Sequence, residues 1–489
     1  MKVSLITSIL MDYVDGRLMP ISMDKLCSCP PYGVYLLGTI LREKGHDVNI
    51  IDLAAQGSMD LSQHEKDIQN STLIGVSATS LSWPSARNII KKVREISPDS
   101  YIVLGGIHAT MFDKYILSTL PVDFIVRGEG EIALPLLVEK LEKNKSVTEV
   151  PNLSTIKDDN FHRTHLHPPI KGTDMGGLPV VDYSQAPLSK YSGLAIESSR
   201  GCPFSCSFCS TSYRNSWRGM SPEDFVSRVE KISPYRKETK QGYIQIVDDE
   251  FPADWRRATQ IANLFSKKNL DVPLIFDSRA NDMLHEDFLT AIAPHTQQFL
   301  IGAECGYDEG LQQIGKGTTC AKLEKTASVL QKNGINERCE FSFIIGLPWE
   351  TKEEVMKTVR FACSLYAKYG VRIVIQWYYL LPGSELWNKA AIEGKVNASM
   401  YDNYGFFRNP YLFFTGVQLS PEEIWDISEN ITSVINLAKL NDRGEEFIQY
   451  RVPEAVRLYF NKQSLREASI SGLDNLKELS ENVKRGGEI

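Results

Sequence analysis

The sequence predicts an α/β protein with two domains of alternating strands and helices: a doubly wound, Rossmann-like parallel sheet and a partial (β/α)6 barrel of the TIM type. Near-continuous apolar runs alternate with amphipathic helical patterns over residues 1–145, and the alternation returns over 190–394. Turn-forming residues mark the stretch between them, and the pattern after residue 395 is mostly helical. We therefore expect a first domain at 1–145, a linker at 146–189, a barrel at 190–394 and a helical carboxy-terminal domain at 395–489.

The composition is that of a soluble globular protein, with 42% hydrophobic and 24% charged residues. The formal net charge of −7 argues against a nucleic-acid-binding protein, which usually carries a basic face. No apolar run approaches the roughly 20 residues that a membrane span needs. The segment that begins at Met1 is too short for a signal peptide and fits a first β-strand better. We expect a cytoplasmic protein without a membrane span.

Five strands are expected in the first domain, at residues 3–9, 47–53, 73–77, 101–104 and 124–126. Helices are expected at residues 32–44, where Gly45 provides a stop, and at residues 85–96. Ligands of doubly wound sheets bind beyond the carboxyl ends of the strands. Small residues at those ends, which let a large ligand approach the backbone, are found in three segments: Ser77-Ala78-Thr79-Ser80, Gly105-Gly106-Ile107-His108 and Gly128-Glu129-Gly130-Glu131.

Six further strands are expected in the barrel, at residues 194–198, 243–247, 274–277, 298–302, 340–345 and 371–379. Helical stretches separate most of them, as in (β/α) barrels. In such barrels the chemistry takes place at the carboxyl ends of the strands. The functional residues of this domain are therefore expected just after each strand.

Three of the nine cysteines, Cys202, Cys206 and Cys209, form a C-x3-C-x2-C run directly after the first barrel strand. Thiolates normally cap all four irons of a [4Fe–4S] cluster, so a loop with three cysteines leaves one iron open. S-adenosylmethionine (SAM) can chelate that iron, accept an electron and break into methionine and a 5′-deoxyadenosyl radical. The alternatives are a zinc loop or three unrelated thiols, but zinc usually takes four ligands and no fourth one stands nearby.

Around this triplet the chain resembles radical SAM enzymes over residues 190–390. Gly302-Ala303-Glu304-Cys305-Gly306 resembles the Gly-x-Glu-Ser-Gly segment in which the glutamate helps to bind SAM, with cysteine in place of serine. The other matching segments are 246–251, 277–281, Lys316-Gly317, 346–348 and 381–385. The resemblance implies that SAM is bound by Asp248, Asp249, Arg279 and Glu304. The alternatives are barrel salt bridges for Arg279 and Glu304 and helix caps for the two aspartates.

The first domain resembles the cobalamin-binding domain that precedes many radical SAM enzymes. The segments that carry this resemblance include 29–38, 45–48 and the three glycine- and serine-containing strand ends. It implies cobalamin contacts from Ser77, Thr79, Ser80, Gly105, Gly106, His108, Gly128, Glu129 and Gly130. The Asp-x-His-x-x-Gly loop that supplies an axial histidine in other cobalamin proteins is absent. The same resemblance places the loop 77–83 near the open lower face of cobalt. Trp83 is expected either to cover that face or to pack at the start of a helix.

Together the two resemblances imply methyl transfer from SAM, through methylcobalamin, to an unactivated carbon of a biosynthetic substrate. The alternatives are a cobalamin-dependent cyclisation or rearrangement without net methylation and, from a different class, a non-catalytic iron–sulfur sensor or electron carrier. The expected partners are a small-molecule or peptide substrate and an electron donor such as flavodoxin or ferredoxin. Four residues near the end of the last barrel strand are expected to line the substrate or to belong to the core: Gln376, Trp377, Tyr378 and Tyr379.

Overall fold

The computed structural model describes residues 1–14, 17–20, 28–402, 418–420, 422–424, 426–427, 431 and 448–450. Contacts between Cα atoms divide the chain into two compact units. The first holds Met1–Ile196 and Ser227–Ile244, together with Tyr401 and Asp402. The second holds Glu197–Val226, Gln245–Met400 and the described residues that come later.

The first unit contains a mostly parallel sheet with the strand order β4-β1-β5-β6-β7-β8-β9. Its parallel strands are β1 (Lys2–Thr7), β4 (Asp47–Ile51), β5 (Leu73–Ser77), β6 (Tyr101–Gly105) and β7 (Phe124–Val126). The five strands expected from the sequence are thus present, although β1 and β4 each end two residues earlier than expected. A separate hairpin is formed by β2 (Met11–Val14) and β3 (Arg17–Pro20). The doubly wound class predicted for this part of the chain is confirmed.

The helices of this sheet are amphipathic and cover its buried strands. They are α1 (Tyr32–Glu43), α2 (Leu53–Gln56), α3 (Glu65–Asn70), α4 (Trp83–Ile96), α5 (Ile107–Thr119) and α6 (Ala133–Glu142). Apolar side chains of strands and helices form one core, which includes Leu5, Leu73, Val103, Leu134 and Leu137. Helix α4 begins two residues before the expected start, because Trp83 and Pro84 form its first turn.

The stretch expected to be a linker, 146–189, contains regular structure. Strands β8 (Leu153–Lys157) and β9 (Asn160–Arg163) extend the sheet beyond β7 in antiparallel fashion, and a short helix α7 spans Gly172–Met175. Asp113 of α5 is buried and accepts hydrogen bonds from Ser154 Oγ (2.6 Å) and Arg163 Nε (2.8 Å). This carboxylate therefore attaches the hairpin to the first unit. Strand β9 is mostly exposed, so its sequence lacks the apolar run that reveals a strand.

The second sheet has the order β10-β13-β14-β15-β16-β17-β18. Its strands are β10 (Gly193–Ile196), β13 (Tyr243–Ile246), β14 (Leu274–Ser278), β15 (Thr296–Glu304), β16 (Cys339–Ile345), β17 (Arg372–Trp377) and β18 (Ile448–Tyr450). Neighbouring strands from β14 to β18 pair in parallel. No pairing closes this sheet among the residues that the structure describes, as expected of a partial barrel. A short ribbon of β11 (Ser199–Arg200) and β12 (Arg218–Gly219) follows β10.

Helices α8 (Pro222–Ile232), α9 (Trp255–Lys267), α10 (Glu286–Ile292), α11 (Asp308–Gln313), α12 (Cys320–Lys332), α13 (Lys352–Tyr369) and α14 (Glu385–Ile392) complete the described part. Side-chain caps fix several helix starts. Asp254 accepts from the N–H of Arg257 at the start of α9, and Thr351 and Glu354 form a capping box on α13. No helix among the described residues is long and apolar enough to cross a membrane. Most of the helical region expected at 395–489 lies outside the described residues, and β18 is a strand within it.

Candidate functional site

The three cysteines of the triplet lie in one loop that follows β11. The N–H of Cys202 donates to Tyr213 O (3.2 Å) and the N–H of Cys209 donates to Cys206 O (3.1 Å). Gly201 has φ +77°, and a Cβ at this position would lie 2.4 Å from Ser216 O. Only glycine therefore fits directly before the first cysteine. Cys206 is buried, whereas Cys202 and Cys209 are partly exposed.

Positive charge lies against this loop. Nη1 of Arg279 is 3.5 Å from Sγ of Cys206, and the guanidinium carbon lies 3.7 Å from the centre of the Phe204 ring. Burial raises the pKa of the Cys202 thiol to about 11 and also raises that of Cys209. Iron binds cysteine as the thiolate, so cluster assembly must displace these protons. The guanidinium of Arg279 places positive charge next to the sulfur of Cys206, where a cluster-bound thiolate would lie.

No three His, Cys, Asp or Glu side chains converge as they would on a single metal ion in the described part of the chain. A [4Fe–4S] cluster does not need such convergence, because each thiolate binds a different iron. The spacing of the cysteines, the close-fitting Gly201 and the guanidinium at Cys206 fit a three-thiolate cluster loop.

Glu304 lies at the carboxyl end of β15 in an unusual backbone conformation, with φ +66°. Its Oε1 accepts a hydrogen bond from Lys316 Nζ at 2.7 Å, and both side chains are buried. A Cβ at Gly302 would lie 2.3 Å from Oε1 of Glu304 and 2.6 Å from Nζ of Lys316. The side chains thus fold into space that only glycine leaves free. Burial opposes a charged lysine, but the charge of Glu304 prevails, and the pKa of Lys316 is raised.

The Asp248-Asp249-Glu250 run follows β13, and its members differ in environment. Asp248 is buried and accepts from Ser198 N (2.7 Å), Ser198 Oγ (2.5 Å) and Ser199 Oγ (2.6 Å), whereas Asp249 is exposed. Neither residue caps α9, because Asp254 does so. The helix-cap alternative for the two aspartates is therefore wrong. Asp248 fixes the two serines that precede the cysteine loop.

Glu250 is a buried carboxylate that the sequence interpretation did not single out. Its Oε1 accepts from the N–H of Arg279 at 3.0 Å. Burial and the nearby Asp282 raise the pKa of Glu250 well above its usual range, and burial raises the pKa of Asp282 to about 6. Lys316 is likewise a buried charged residue to which the sequence alone assigns no role. The signal for Glu250 was its position in the family-like segment after β13, and the signal for Lys316 was the family-like pair Lys316-Gly317 in the turn after α11.

The four residues expected near the substrate differ in their exposure. Gln376 is exposed, and its Nε2 donates to Ser342 Oγ at 3.4 Å. Trp377 and Tyr378 are buried, and Tyr379 is partly exposed. Strand register also places three ionisable residues, Asp277, Glu340 and Arg372, in one row across the sheet. Leu300 of β15 lies in the same row, between Asp277 and Glu340. Side chains in register on adjacent strands share one face of a sheet.

In the first unit, hydroxyl groups fix the loop that follows β5. Ser8 Oγ donates to Ser77 O (2.7 Å) and to Ser82 Oγ (2.7 Å), and the N–H of Thr79 donates to Ser82 Oγ (3.0 Å). Ser80 Oγ is buried and lies 3.1 Å from Nδ1 of His108. The Thr79 side chain and that of Leu81, which is 38% exposed, face outward from this loop.

Glycines stand where side chains would otherwise project at the ends of β6 and β7. A Cβ at Gly105 would meet only Val126 O at 3.9 Å, so a side chain there would project into open space. Gly106 has φ +96°, and its Cβ would lie 2.4 Å from Ala78 O. Gly128 is exposed, and Gly130 is partly exposed. Glu129 holds the segment that follows β9, because its Oε2 accepts from the N–H of Ile170 (2.7 Å). The carboxyl ends of these strands, called the sheet edge below, therefore leave room for a large flat ligand.

Trp83 and His108 lie beneath this edge. Both are fully buried, and their rings stack at 4.4 Å with an interplanar angle of 24°. Trp83 Nε1 donates to Asp402 (2.7 Å), which also accepts from the hydroxyl of Tyr115 (2.7 Å). Burial lowers the pKa of His108 to about 3, so its imidazole is neutral. Of the two roles expected for Trp83, the structure shows the packing residue at a helix start.

Comparison with known proteins agrees with this geometry. A model of the B12 binding domain matches residues 27–138, and a model of the radical SAM superfamily matches residues 196–362. An uncharacterized methyltransferase of Pyrococcus horikoshii is 31% identical over 374 residues, which cover 74% of this chain and 78% of that protein. The chain belongs to the cobalamin-dependent radical SAM enzymes. The two matched domains imply cobalamin, SAM and a [4Fe–4S] cluster as the cofactors of this radical SAM enzyme.

Two other relatives of this radical SAM enzyme carry different names. An anaerobic magnesium-protoporphyrin IX monomethyl ester cyclase of Rubrivivax gelatinosus is 28% identical over 68% of this chain and 62% of its own length. A hopanoid C-3 methylase of Methylococcus capsulatus is 26% identical over 73% of this chain and 68% of its own length. The chain therefore spans just under two thirds of the cyclase.

Solved structures share the fold. The cobalamin-dependent radical enzyme OxsB superposes with a TM-score of 0.65 at 17% identity, over 94% of this chain and 70% of its own. The radical SAM methyltransferase TsrM of Kitasatospora setae gives a TM-score of 0.62 at 16% identity, over 80% of this chain and 78% of its own. At these identities the likeness concerns the fold alone.

Proposed function

We propose that this radical SAM enzyme transfers a methyl group from SAM to an unactivated carbon of a small biosynthetic substrate. The observation that carries the proposal is the presence, in one chain, of a three-cysteine loop beside buried charged groups and a glycine-lined sheet edge within the B12-binding match. The names of the methyltransferase and methylase relatives support methylation. When bound, the cluster with SAM supplies a carbon radical at the 5′ position, and cobalamin supplies the methyl group.

We assign Cys202, Cys206 and Cys209 as the cluster ligands. Their thiols belong to one loop that Gly201 and the Tyr213 carbonyl hold in place. Three ligands leave one iron for SAM. The guanidinium of Arg279 at Cys206 lowers the net negative charge of a thiolate-bound cluster and so favours its reduction.

The methionine end of SAM carries one carboxylate and one ammonium group, and the site offers partners for both. Arg279 and Lys316 provide buried positive charge for the carboxylate, whereas Glu304 and Glu250 provide acceptors for the ammonium. The exposed Asp249 is assigned to the ribose hydroxyls. Asp248 acts indirectly, because its oxygens already bind Ser198 and Ser199.

We assign the sheet edge of the first unit to cobalamin. Its contacts are proposed to come from residues that are small, exposed or placed in the fixed loop: Ser77, Thr79, Gly105, Gly106, Gly128, Glu129 and Gly130. Ser80, His108 and Trp83 support that edge from the interior, because their side chains are buried. For the substrate, Gln376 and Tyr379 are proposed as contacts, while Trp377 and Tyr378 fix the strand from which they project.

A second candidate function is a radical cyclisation without net methyl transfer. The cyclase of Rubrivivax gelatinosus, whose match covers 68% of this chain, supports it. The products differ between the two functions. Net methylation releases S-adenosylhomocysteine together with 5′-deoxyadenosine, whereas cyclisation needs no S-adenosylhomocysteine. In either case the proposed partners are a small-molecule or peptide substrate and a one-electron donor such as flavodoxin or ferredoxin.

The test starts with anaerobic reconstitution of the full chain with iron, sulfide and cobalamin. We expect about four irons per chain from a three-cysteine cluster site, together with one retained cobalamin. SAM labelled in its methyl group is then added with titanium(III) citrate as reductant. Release of S-adenosylhomocysteine in proportion to retained cobalamin supports methylation. Release of 5′-deoxyadenosine alone favours the cyclase.

A matched pair of cysteine variants tests the cluster assignment. Cys206→Ala is expected to lose the retained iron, because it removes one of the three ligands. Cys363→Ala changes a thiol that is also buried but belongs to α13, and it is expected to retain the iron. Equal iron content in the two variants would overturn the assignment.

A further inference from the structure

One face of the second sheet packs against helices. Phe276 of β14 and Phe299 of β15 are buried on this face, and their rings stack at 5.5 Å. The ring of Phe251 lies 5.2 Å from that of Phe276 and 6.4 Å from that of Phe288 in α10, measured between ring centres. Side chains alternate between the two faces of a strand, so Asp277, the next residue of β14, points to the opposite, inner face.

Strand register aligns four residues across this inner face, which we name the charged row: Asp277, Leu300, Glu340 and Arg372. Leu300 precedes Gly302 by two residues on β15, so the two residues face the same way. A Cβ at Gly302 would meet the side chains of Glu304 and Lys316, which belong to the proposed SAM site. The charged row therefore lies on the face of the SAM site, about 7 Å nearer to the amino ends of the strands.

The three charged side chains of this row have no polar partner within the part of the chain that the structure describes. Asp277, Glu340 and Arg372 make no hydrogen bond and no ion pair there, although Glu340 and Arg372 are neighbours in register on adjacent strands. Asp277 is exposed, and the other two are partly exposed. Charged groups inside a protein are ordinarily paired. Three that are not paired are available to a bound molecule.

Asp277 is open to solvent and yet surrounded by protein. Burial raises the pKa of its carboxyl group to about 6, and the charges of Glu340 and Asp249 add to this shift. Burial also raises the pKa of Glu340, and the charge of Arg372 opposes that shift. A carboxyl group that water reaches although protein surrounds it lies in a recess. Because both charges that raise the pKa of Asp277 are negative, this recess favours a cation.

Resting on the methyl-transfer function proposed above, we propose that the charged row binds the substrate and that the substrate carries a protonated amine, held by Asp277 and Glu340. An ammonium group has three N–H donors and so serves both carboxylates. Leu300 lies between the two in the row and offers an apolar surface to the carbon chain next to the amine. Because the row lies about 7 Å from the SAM site, the carbon that loses hydrogen is several bonds away from the amine.

The test measures the binding of two small probes to the anaerobic full chain, loaded with its cluster and saturated with SAM but not reduced. Saturation-transfer nuclear magnetic resonance compares n-hexylammonium with n-hexanol, which has the same carbon chain without the charge. We expect saturable binding of the amine and much weaker binding of the alcohol. Asp277→Asn and Glu340→Gln retain the size of each side chain but remove its charge. Each is expected to weaken amine binding roughly tenfold, the effect of losing one hydrogen bond to a charged group.

Asp287→Asn is the matched control, because Asp287 is an exposed carboxylate of the same unit that belongs to helix α10 instead of the charged row. It is expected to leave amine binding unchanged. Equal binding of amine and alcohol by the wild type would overturn the inference. So would unchanged amine binding by both row variants, or an equal loss in Asp287→Asn. A wild type that retains no iron or binds no SAM would instead overturn the proposed function.

Discussion

Lys316→Met tests whether the buried pair beside the cysteine loop stabilises the fold. Methionine retains an unbranched side chain of similar length but removes the charge that lies 2.7 Å from Oε1 of Glu304. Glu304 is only 7% exposed, so its carboxylate would be left in the interior without a cation. Removing one partner of a buried ion pair typically costs about 3–5 kcal/mol. We therefore expect the free energy of unfolding of the second unit to fall by about that amount.

Chemical denaturation of the anaerobic, cluster-loaded protein measures this change, and equilibrium dialysis with SAM measures binding. The control is the double variant Glu304→Gln with Lys316→Met, in which both partners are neutral. It is expected to recover most of the stability but to bind SAM roughly tenfold more weakly than the wild type, because only Arg279 and Glu250 remain to meet the zwitterion. A loss below about 1 kcal/mol in the single variant, the value of an exposed pair, would refute the reasoning. Normal SAM binding by the double variant would refute the binding role.

Two other predictions concern residues near the same strand ends. Gly302→Ala places a methyl group 2.3 Å from Oε1 of Glu304 and is expected to weaken SAM binding roughly 10- to 100-fold, since small displacements in a site have effects of that size. Gly33→Ala, whose Cβ meets nothing within 4 Å, is expected to leave SAM dialysis unchanged; equal losses would contradict the argument. Burial raises the pKa of Glu350 to about 7. Its stabilising contribution is therefore complete below about pH 4.3, the unfolded value, and is lost as the pH rises through 7. Between pH 5 and 8, the advantage of the wild type over Glu350→Gln in unfolding free energy is expected to fall by roughly 2–3 kcal/mol; a constant difference would show that Glu350 does not titrate in this range.

The parallel strands could be predicted because each is a buried apolar run between helical patterns. The end of β17 was predicted less well, since Tyr378 and Tyr379 continue the aromatic run after the strand has ended at Trp377. Strand β9 escaped prediction because its side chains are mostly exposed. The spacing of apolar residues reveals a strand only where one face of that strand is buried. An edge strand such as β9 buries few of its side chains and therefore shows no such spacing.

The cysteines of the candidate site could be predicted because all three lie in one short loop, so the sequence alone shows that they are close together. Contacts between distant segments could not. Lys316 meets Glu304 through the turn after α11, and Asp402 reaches Trp83 from a segment 319 residues away. The hydrogen bond of Asp402, together with the stack on His108, decided that Trp83 is a packing residue. A partner of that kind leaves no pattern in the local sequence.

The end of β15 shows how strain and charge act together in this site. The register between β15 and β16 shifts between Gly302 and Glu304, so that Glu304 pairs with Phe343. Such irregularities are rare between parallel strands, and the left-handed φ of Glu304 adds about 1–3 kcal/mol of backbone strain. The bulge lets the carboxylate fold back over Gly302 and reach Lys316, and this ion pair offsets the strain. Each feature depends on the other: without the bulge Glu304 would not reach Lys316, and without Lys316 the strained, buried carboxylate would lack compensation. Strain that is held by a charge pair next to the cysteine loop therefore fits a site that is organised before SAM binds.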